Sequence, residues 1–133
     1  MPAFSADHFA FGVSDLDASI EFYTRKIGLK LLFKESDENH HEAFAFLELN
    51  GGNLELLQSL DENNQPVPQI KQEIAEPYCP HLAIGTDDLD EVMSSMKEKQ
   101  VTVIKGPLEI PGKVRWVYFA DPDNNILEFV EWL

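Results

Sequence analysis

An internal repeat limits the folds that this chain can adopt. HFAFGVSDLD begins at His8 and HLAIGTDDLD begins at His81, and six of these ten positions are identical without a gap. The same offset of 73 residues also pairs Glu55 with Glu128 further along the chain. Because self-similarity at a fixed offset is the mark of a duplicated structural unit, the sequence predicts two copies of one module.

The two copies are separated by a segment of different composition. We place one module at residues 4–60 and the other at residues 78–133, within a single domain that covers the chain. Residues 61–77 between them are polar and carry prolines, which is typical of a linker. The stretch IKQEIAE in this linker is predicted to form a short helix.

Each module shows the same succession of patterns. Short apolar runs of strand length occupy residues 7–13, 29–35, 42–49 and 53–60, and again residues 80–86, 101–106, 114–120 and 126–132. A helical stripe follows the first run of each module, at Leu16, Ile20, Tyr23 and Ile27 and then at Leu89, Val92, Met93 and Met96. The sequence therefore predicts an α+β protein of two tandem βαβββ modules.

The ends of both helices carry capping signals. Ser14 or Asp15 would cap the start of the first helix, and Gly28 would end it. Asp87 or Asp88 would cap the second helix.

Four residues with metal-ligand chemistry recur at equivalent places in the two modules. Each histidine, His8 and His81, shares its strand face with an alanine and a glycine, which leaves the surrounding surface open. Glu55 and Glu128 interrupt apolar runs, where a carboxylate is costly to bury without a partner or a metal. If the modules pack about a pseudo-twofold axis, the four side chains converge, and two imidazoles with two carboxylates suit Zn²⁺, Ni²⁺ or Co²⁺.

The charge balance and the single cysteine limit the partners. Ten Lys and Arg against 24 Asp and Glu give a net charge of −14, which repels nucleic acid and anionic membrane. Cys79 alone forms no internal disulfide, no apolar run reaches the ~18 residues of a membrane span, and MPAFSADHFAF lacks an export signal. We expect a cytoplasmic protein with no nucleic-acid or membrane partner.

The motifs together resemble the vicinal oxygen chelate superfamily. The resemblance lies in HFAFGVSDLDASIEFYTRKIGLKLL, NLELLQ, HLAIGTDDLDEV and FADPDNNILEFVEW, and it spans nearly the whole chain. It implies the glyoxalase/bleomycin-resistance/dihydroxybiphenyl dioxygenase fold, with a cupped mixed sheet around a metal site. The ligands of the superfamily fall on His8, Glu55, His81 and Glu128. This set looks most like bacterial glyoxalase I, the lactoylglutathione lyases.

The resemblance also implies an activity. It indicates a metal-dependent lyase or isomerase that transfers a proton through a metal-bound enediolate of an α-oxo or α-hydroxy carbonyl substrate. Glu128 would be the base, and Glu55 a ligand and second catalytic carboxylate. The cofactor would be one divalent ion per site, Ni²⁺ or Zn²⁺ first and Co²⁺ or Mn²⁺ next, in a homodimer. Two alternatives stay open, a methylmalonyl-CoA epimerase and a non-catalytic small-molecule or antibiotic-binding protein.

Substrate identity is open at this point. Glyoxalase I has an Arg where this chain has Gly12 and an Asn where it has Ser59, so use of the methylglyoxal–glutathione hemithioacetal is unsettled. Lys113 and Arg115 are the cations expected near the site mouth, where they would hold a substrate carboxylate or phosphate. Trp116 is a candidate pocket residue.

Overall fold

The computed structural model describes all 133 residues, which divide into two compact units. The first unit is Met1–Ile70 and the second is Lys71–Leu133. No helix in the structure is both long and apolar enough to cross a lipid bilayer.

The first unit is one βαβββ module. Its elements are β1 (His8–Gly12), α1 (Leu16–Glu21), a π-helical segment (Phe22–Ile27), β2 (Lys30–Asp37), β3 (Glu42–Glu48) and β4 (Asn53–Ser59). The strands form one sheet in the order β1-β4-β3-β2. β1 runs parallel to β4, and the other neighbours are antiparallel.

The second unit repeats this plan. Its elements are β5 (Leu82–Gly85), α2 (Leu89–Glu98), β6 (Thr102–Ile110), β7 (Val114–Ala120) and β8 (Ile126–Trp132). The sheet order is β5-β8-β7-β6, with β5 parallel to β8. The prediction of two tandem βαβββ modules in an α+β protein is confirmed.

The helices begin at the same capping residue in both copies. Asp15 accepts a hydrogen bond from the Ala18 amide at 3.0 Å, and Asp88 accepts one from the Glu91 amide at 3.0 Å. Each aspartate thereby satisfies an amide that lacks a partner within the helix. Of the two candidates in each module, the second is the cap.

A second pair of equivalent contacts ties each helix to its last strand. Gln58 on β4 accepts from the Leu16 amide at 3.3 Å, and Glu131 on β8 accepts from the Leu89 amide at 2.8 Å. Both donors and both acceptors keep the 73-residue offset found in the sequence. The repeat is therefore present in individual hydrogen bonds as well as in the order of elements.

One face of each sheet forms the core of its unit. Buried side chains on this face are Ala43, Ala45, Leu47, Leu54 and Leu56 in the first unit and Val117, Phe119, Leu127 and Phe129 in the second. α1 contacts β3 and β4, and α2 contacts β8. Because strand side chains alternate between faces, the intervening residues lie on the opposite face of each sheet.

Three local features differ from the sequence predictions. The first helical stripe continues past α1 as the π-helical segment, which ends at Gly28 with φ +93°. β6 extends to Ile110, beyond the expected end at residue 106. The stretch IKQEIAE forms no helix, since seven residues without caps are too few to offset the cost of helix nucleation.

Candidate metal centre and adjoining cavity

In the first unit, β1 and β4 bring a histidine and a glutamate together. Glu55 pairs with Ala10 across the parallel ladder, so its side chain lies on the face that His8 and Ala10 share. His8 Nε2 lies 3.5 Å from Glu55 Oε1. Two predicted ligands thus meet within this unit.

The second unit contains the equivalent pair in a tighter arrangement. Glu128 pairs with Ala83 on β5, and His81 lies immediately before that strand. His81 Nε2 is 2.8 Å from Glu128 Oε1, and both side chains are largely buried. The other two predicted ligands therefore also meet within one unit.

The second nitrogen of each imidazole is held by an acceptor. His81 Nδ1 lies 2.9 Å from the Tyr78 carbonyl, and His8 Nδ1 lies 2.6 Å from Asp7 Oδ1. Because both partners only accept, each Nδ1 carries the hydrogen and donates it. In the neutral imidazole the lone pair is then on Nε2, which faces the glutamate.

This arrangement fits a bound cation. A neutral imidazole Nε2 and a carboxylate oxygen are both acceptors, so a contact of 2.8 Å between His81 and Glu128 requires a proton or a cation. Metal-bound histidines commonly donate their other ring hydrogen to a carboxylate or a backbone carbonyl, as both histidines do here. No group of three or more His, Cys, Asp or Glu side chains is arranged to hold a metal ion. The four-ligand set remains a prediction.

Two aromatic residues share the sheet face of Glu128. Tyr118 lies directly opposite Glu128 on β7, and Trp116 lies two residues away on the same face. The Tyr118 ring packs edge-on against the His81 ring, with centroids 5.4 Å apart. Trp116, predicted as a pocket residue, is therefore on the side of the sheet that carries the His81–Glu128 pair.

Arg115 lies on the other face of this sheet. It pairs with Glu131 on β8, and its Nη2 donates to Asp90 Oδ1 of α2 at 2.8 Å. This hydrogen bond lowers the pKa of Asp90 and raises the pKa of Arg115. The structure does not bring Arg115 to the candidate metal centre.

Lys113 lies in the turn between β6 and β7. Its amide donates to the Ile110 carbonyl at 3.0 Å, and its own carbonyl accepts from the Leu133 amide at 2.9 Å. The side chain is exposed, and Val114, the next residue, pairs with Trp132 at the end of β8. Lys113 is therefore not brought to Glu128, which lies four residues earlier in that strand.

A cavity of about 530 Å³ in the second unit is lined by Tyr78 and Tyr118, which contact His81. We call it the Lys105 cavity; its lining residues are Glu76, Pro77, Tyr78, Lys105, Leu108, Trp116 and Tyr118. Lys105 Nζ donates to Glu76 Oε1 at 2.7 Å, which lowers the pKa of Glu76 and raises the pKa of Lys105. Neither of these charged residues is among the site residues predicted from the sequence.

The face of Lys105 depends on a register shift in β6. Val103 pairs with Phe119, but Lys105 pairs with Tyr118, so one extra residue is accommodated between them. A one-residue shift moves a side chain to the opposite face, and here it brings Lys105 to the face of Glu128. The available signal was Gly106-Pro107, because glycine and proline within a strand commonly mark a bulge.

The equivalent face of the first unit is aromatic. The His8 ring lies 5.1 Å from the Phe46 ring, which stacks on Phe33 at 5.0 Å. At the far end of β1, a Cβ on Gly12 would lie 2.7 Å from the side-chain oxygen of Gln69. Gln69 thus covers the position at which glyoxalase I has an Arg. Ser59 is the last residue of β4, and its carbonyl accepts from the Val67 amide.

Comparisons with known proteins agree with this fold. Residues 5–129 match the family model described as the Glyoxalase/Bleomycin resistance protein/Dioxygenase superfamily. A probable lactoylglutathione lyase of Vibrio cholerae serotype O1 is 31% identical over 129 residues, covering 93% of this chain and 88% of the relative. A metallothiol transferase FosB of Staphylococcus epidermidis is 33% identical over 127 residues, covering 93% and 79%.

A solved structure gives the same picture in three dimensions. The trypanothione-dependent glyoxalase I of Leishmania major superimposes with a TM-score of 0.73 at 26% identity, covering 97% of this chain and 87% of that one. The names of the relatives give different activities, so the comparisons establish the family of this chain but not its reaction. The chain belongs to the glyoxalase/bleomycin resistance protein/dioxygenase superfamily, also known as the vicinal oxygen chelate superfamily.

Proposed function

We propose that this protein is a metal-dependent lyase or isomerase of the glyoxalase I type. It acts on a small α-oxo or α-hydroxy carbonyl compound, and the methylglyoxal–glutathione hemithioacetal is the first candidate substrate. The observation that carries the proposal is the pair of His–Glu contacts, each with its Nε2 directed at a carboxylate and its Nδ1 bonded to an acceptor.

The ligands of the metal would be His8, Glu55, His81 and Glu128. The donor set of two imidazole nitrogens and two carboxylates suits Ni²⁺ or Zn²⁺, and also accepts Co²⁺ or Mn²⁺. A bound divalent ion would polarise neighbouring carbonyl and hydroxyl oxygens of the substrate and so acidify the adjacent carbon-bound hydrogen.

Glu128 would accept that hydrogen as a proton and return it to the neighbouring carbon. It lies directly across from Tyr118, which lines the Lys105 cavity, so a substrate bound there would have its reacting carbon near this carboxylate. His81 Nε2 lies 2.8 Å from Oε1 of the same carboxylate, where a shared cation would join the two groups. Glu55, in the equivalent position, would act as a ligand and as the second catalytic carboxylate.

The Lys105 cavity is the place where the remainder of the substrate would bind. Trp116 and Tyr118 supply flat apolar walls, and Lys105 supplies a positive charge. Because Arg115 lies on the other face and Lys113 lies in a distant turn, we assign the anchoring of an anionic substrate group to Lys105 in their place. Trp116 keeps its predicted role as a substrate contact.

We further infer that the protein acts in the cytoplasm as a homodimer. Members of this superfamily are often dimers, and β2 leaves three consecutive apolar residues exposed, Leu31, Leu32 and Phe33. Exposed apolar surface of this kind is typical of a protein–protein contact.

The proposal is tested by turnover of the methylglyoxal–glutathione hemithioacetal. Metal-stripped protein is reloaded separately with Ni²⁺ and Zn²⁺, and His8→Ala and Glu128→Gln are assayed beside Glu48→Gln, a change of an exposed glutamate on β3. Loss of a positioned base lowers the rate about 10²–10⁴-fold. We therefore expect Glu128→Gln to lose that much turnover and Glu48→Gln to keep the turnover of the parent.

The two alternatives predict different outcomes of the same experiment. Metal-dependent epimerisation of an acyl-CoA, without turnover of the hemithioacetal, would favour the epimerase. Stoichiometric metal binding without turnover of either substrate would contradict an enzyme and favour a binding protein. Absence of metal binding would contradict the proposal as a whole.

A further inference from the structure

We propose that the Glu76 carboxylate occupies the anion-binding position of the Lys105 cavity. It pairs with Lys105 until the anionic group of an aromatic or apolar acid displaces it. The inference rests on the proposed function only in naming the Lys105 cavity as the substrate site. It adds a regulation of that site by the chain's own carboxylate, and it defines the ligand class that would compete with it.

The lining of the cavity defines the ligand. Lys105 is the single cationic side chain among the lining residues. The aromatic rings of Tyr78, Trp116 and Tyr118 form much of the remaining wall. A ligand that matches these surfaces has a flat apolar body and one carboxylate, because the rings favour apolar contact and the ammonium favours an anion.

Glu76 already occupies the anion position in this structure. Its Oε1 lies 2.7 Å from Lys105 Nζ, the distance of a charge-assisted hydrogen bond. A ligand carboxylate would approach the same ammonium from the same cavity, beside the negative charge of Glu76. Glu76 therefore competes directly with an incoming anion.

The Glu76–Lys105 ion pair can be displaced at little cost. The side chain of Glu76 is 66% exposed and that of Lys105 is 46% exposed, and an ion pair so open to water stabilises a fold only slightly. Glu76 lies outside the helices and strands, so its movement breaks no sheet pairing. Its other contact, with the Tyr78 hydroxyl, is long at 3.5 Å.

The occupant is also connected to the candidate metal centre. Tyr78 packs against Tyr118 with ring centroids 4.9 Å apart, and its carbonyl accepts from His81 Nδ1. Tyr78 itself has φ +60°, a left-handed conformation that is unfavourable for a side chain of this size. The segment that carries Glu76 therefore joins the cavity to the histidine that faces Glu128.

The test uses 3-phenylpropionate, an aromatic acid without the adjacent oxygens that chelate metals, and its neutral amide. Metal-stripped full-length protein is titrated with each compound, and affinity is measured by NMR from the indole N–H of Trp116. Glu76→Gln is compared with Glu73→Gln, which removes one charge from the same exposed segment. Lys105→Gln removes the anion partner itself, and circular dichroism checks the fold of each variant.

Glu76→Gln should bind the acid roughly two- to fivefold more tightly than the parent, the range expected from loss of an exposed ion pair, and should leave the amide unchanged. Glu73→Gln should match the parent, and Lys105→Gln should bind the acid about tenfold or more weakly. Equal affinity in the parent and Glu76→Gln, equal tightening in Glu73→Gln, or no binding of the acid to any variant would overturn the proposal. None of these results depends on a metal. Failure of this proposal is therefore distinguishable from failure of the proposed reaction.

Discussion

At the scale of single residues, one hydrogen bond decides what His81 offers to a ligand. The Tyr78 carbonyl fixes the hydrogen on Nδ1, and the lone pair on Nε2 then faces Glu128. The sequence shows which residues recur, but it does not show which nitrogen is free. That information depends on the turn that brings residue 78 beneath the ring.

Asp7 should control the metal affinity of the first pair. Its carboxylate accepts from His8 Nδ1 at 2.6 Å, and loss of such an outer partner typically lowers metal affinity about 10- to 100-fold. Because Asp7 is exposed, we expect Asp7→Asn to weaken Ni²⁺ or Zn²⁺ binding by about tenfold, measured by competition with a chelating dye. Asp87→Asn, an exposed aspartate before α2, is the control and should bind as the parent does. Equal affinity in all three proteins would show that Asp7 does not orient His8.

The sheet faces on which Arg115 and Lys105 lie show where prediction of single residues from the sequence fails. Alternation along β7 could have placed Arg115 and Glu128 on opposite faces, once the register with β8 was known. Lys105 could not be placed in this way, because its face depends on a bulge in a neighbouring strand. The repeat identifies the four His and Glu residues without reference to register, and the structure brings them together as one pair in each unit.

At the scale of secondary-structure elements, β6 is the strand whose irregularity shapes the cavity. Its pairing with β7 shifts twice, once before Lys105 and once between Lys105 and Leu108. Gly106 lies between these two residues with φ +122°. An added Cβ there would lie 3.0 Å from the Trp116 carbonyl oxygen and 3.1 Å from Val117 Cα. Glycine is therefore the residue that best fits the backbone conformation in which Lys105 lies opposite Tyr118.

Gly106→Ala should therefore destabilise the second unit and weaken binding in the Lys105 cavity. Positive φ costs a side chain about 1–2 kcal/mol, and the backbone contact adds to it, so we expect a loss of about 2 kcal/mol or more in the free energy of unfolding. Gly112→Ala is the control, because it also has positive φ, +74°, but its added Cβ meets no atom within 4 Å. Urea denaturation measures both, and an equal loss in the two variants would contradict a special role for the bulge.

The helices illustrate how much of an element can be predicted. The apolar stripe and the caps place both helices from the sequence, because helix starts depend on local hydrogen bonds. The π-helical continuation of α1 was not predictable from that stripe. In that segment Thr24 Oγ1 donates to the Ile20 carbonyl at 2.7 Å, and a local contact of this kind competes with regular backbone hydrogen bonding.

At the scale of the whole molecule, the duplication explains why the fold was predictable. The two units repeat strand order, helix caps and the Gln58 and Glu131 contacts at one offset. The predicted site divides in the same way, with one His–Glu pair in each unit. Glu76 lies in the linker outside the repeat, and the position equivalent to Lys105 in the first module is Leu32, so the repeat pointed to neither residue.

A homodimer is the expected assembly of the whole protein. Light scattering at micromolar concentration should give twice the 15.1 kDa mass of the chain. The net charge of −14 opposes association at low ionic strength, so the dimer should strengthen as salt is raised through the physiological range. A mass of one chain at every salt concentration would contradict the dimer.

The parallel pairing of β1 with β4 and of β5 with β8 has a consequence for folding kinetics. The antiparallel hairpins of each unit join neighbouring segments, whereas His8 and Glu55, like His81 and Glu128, come from opposite ends of a module. Closing a long loop costs more entropy than closing a hairpin, so we expect the parallel strand to dock last. The residues that would bind the metal are then assembled only at the end of folding, and a partly folded chain in the cell would have no competent site with which to capture an ion.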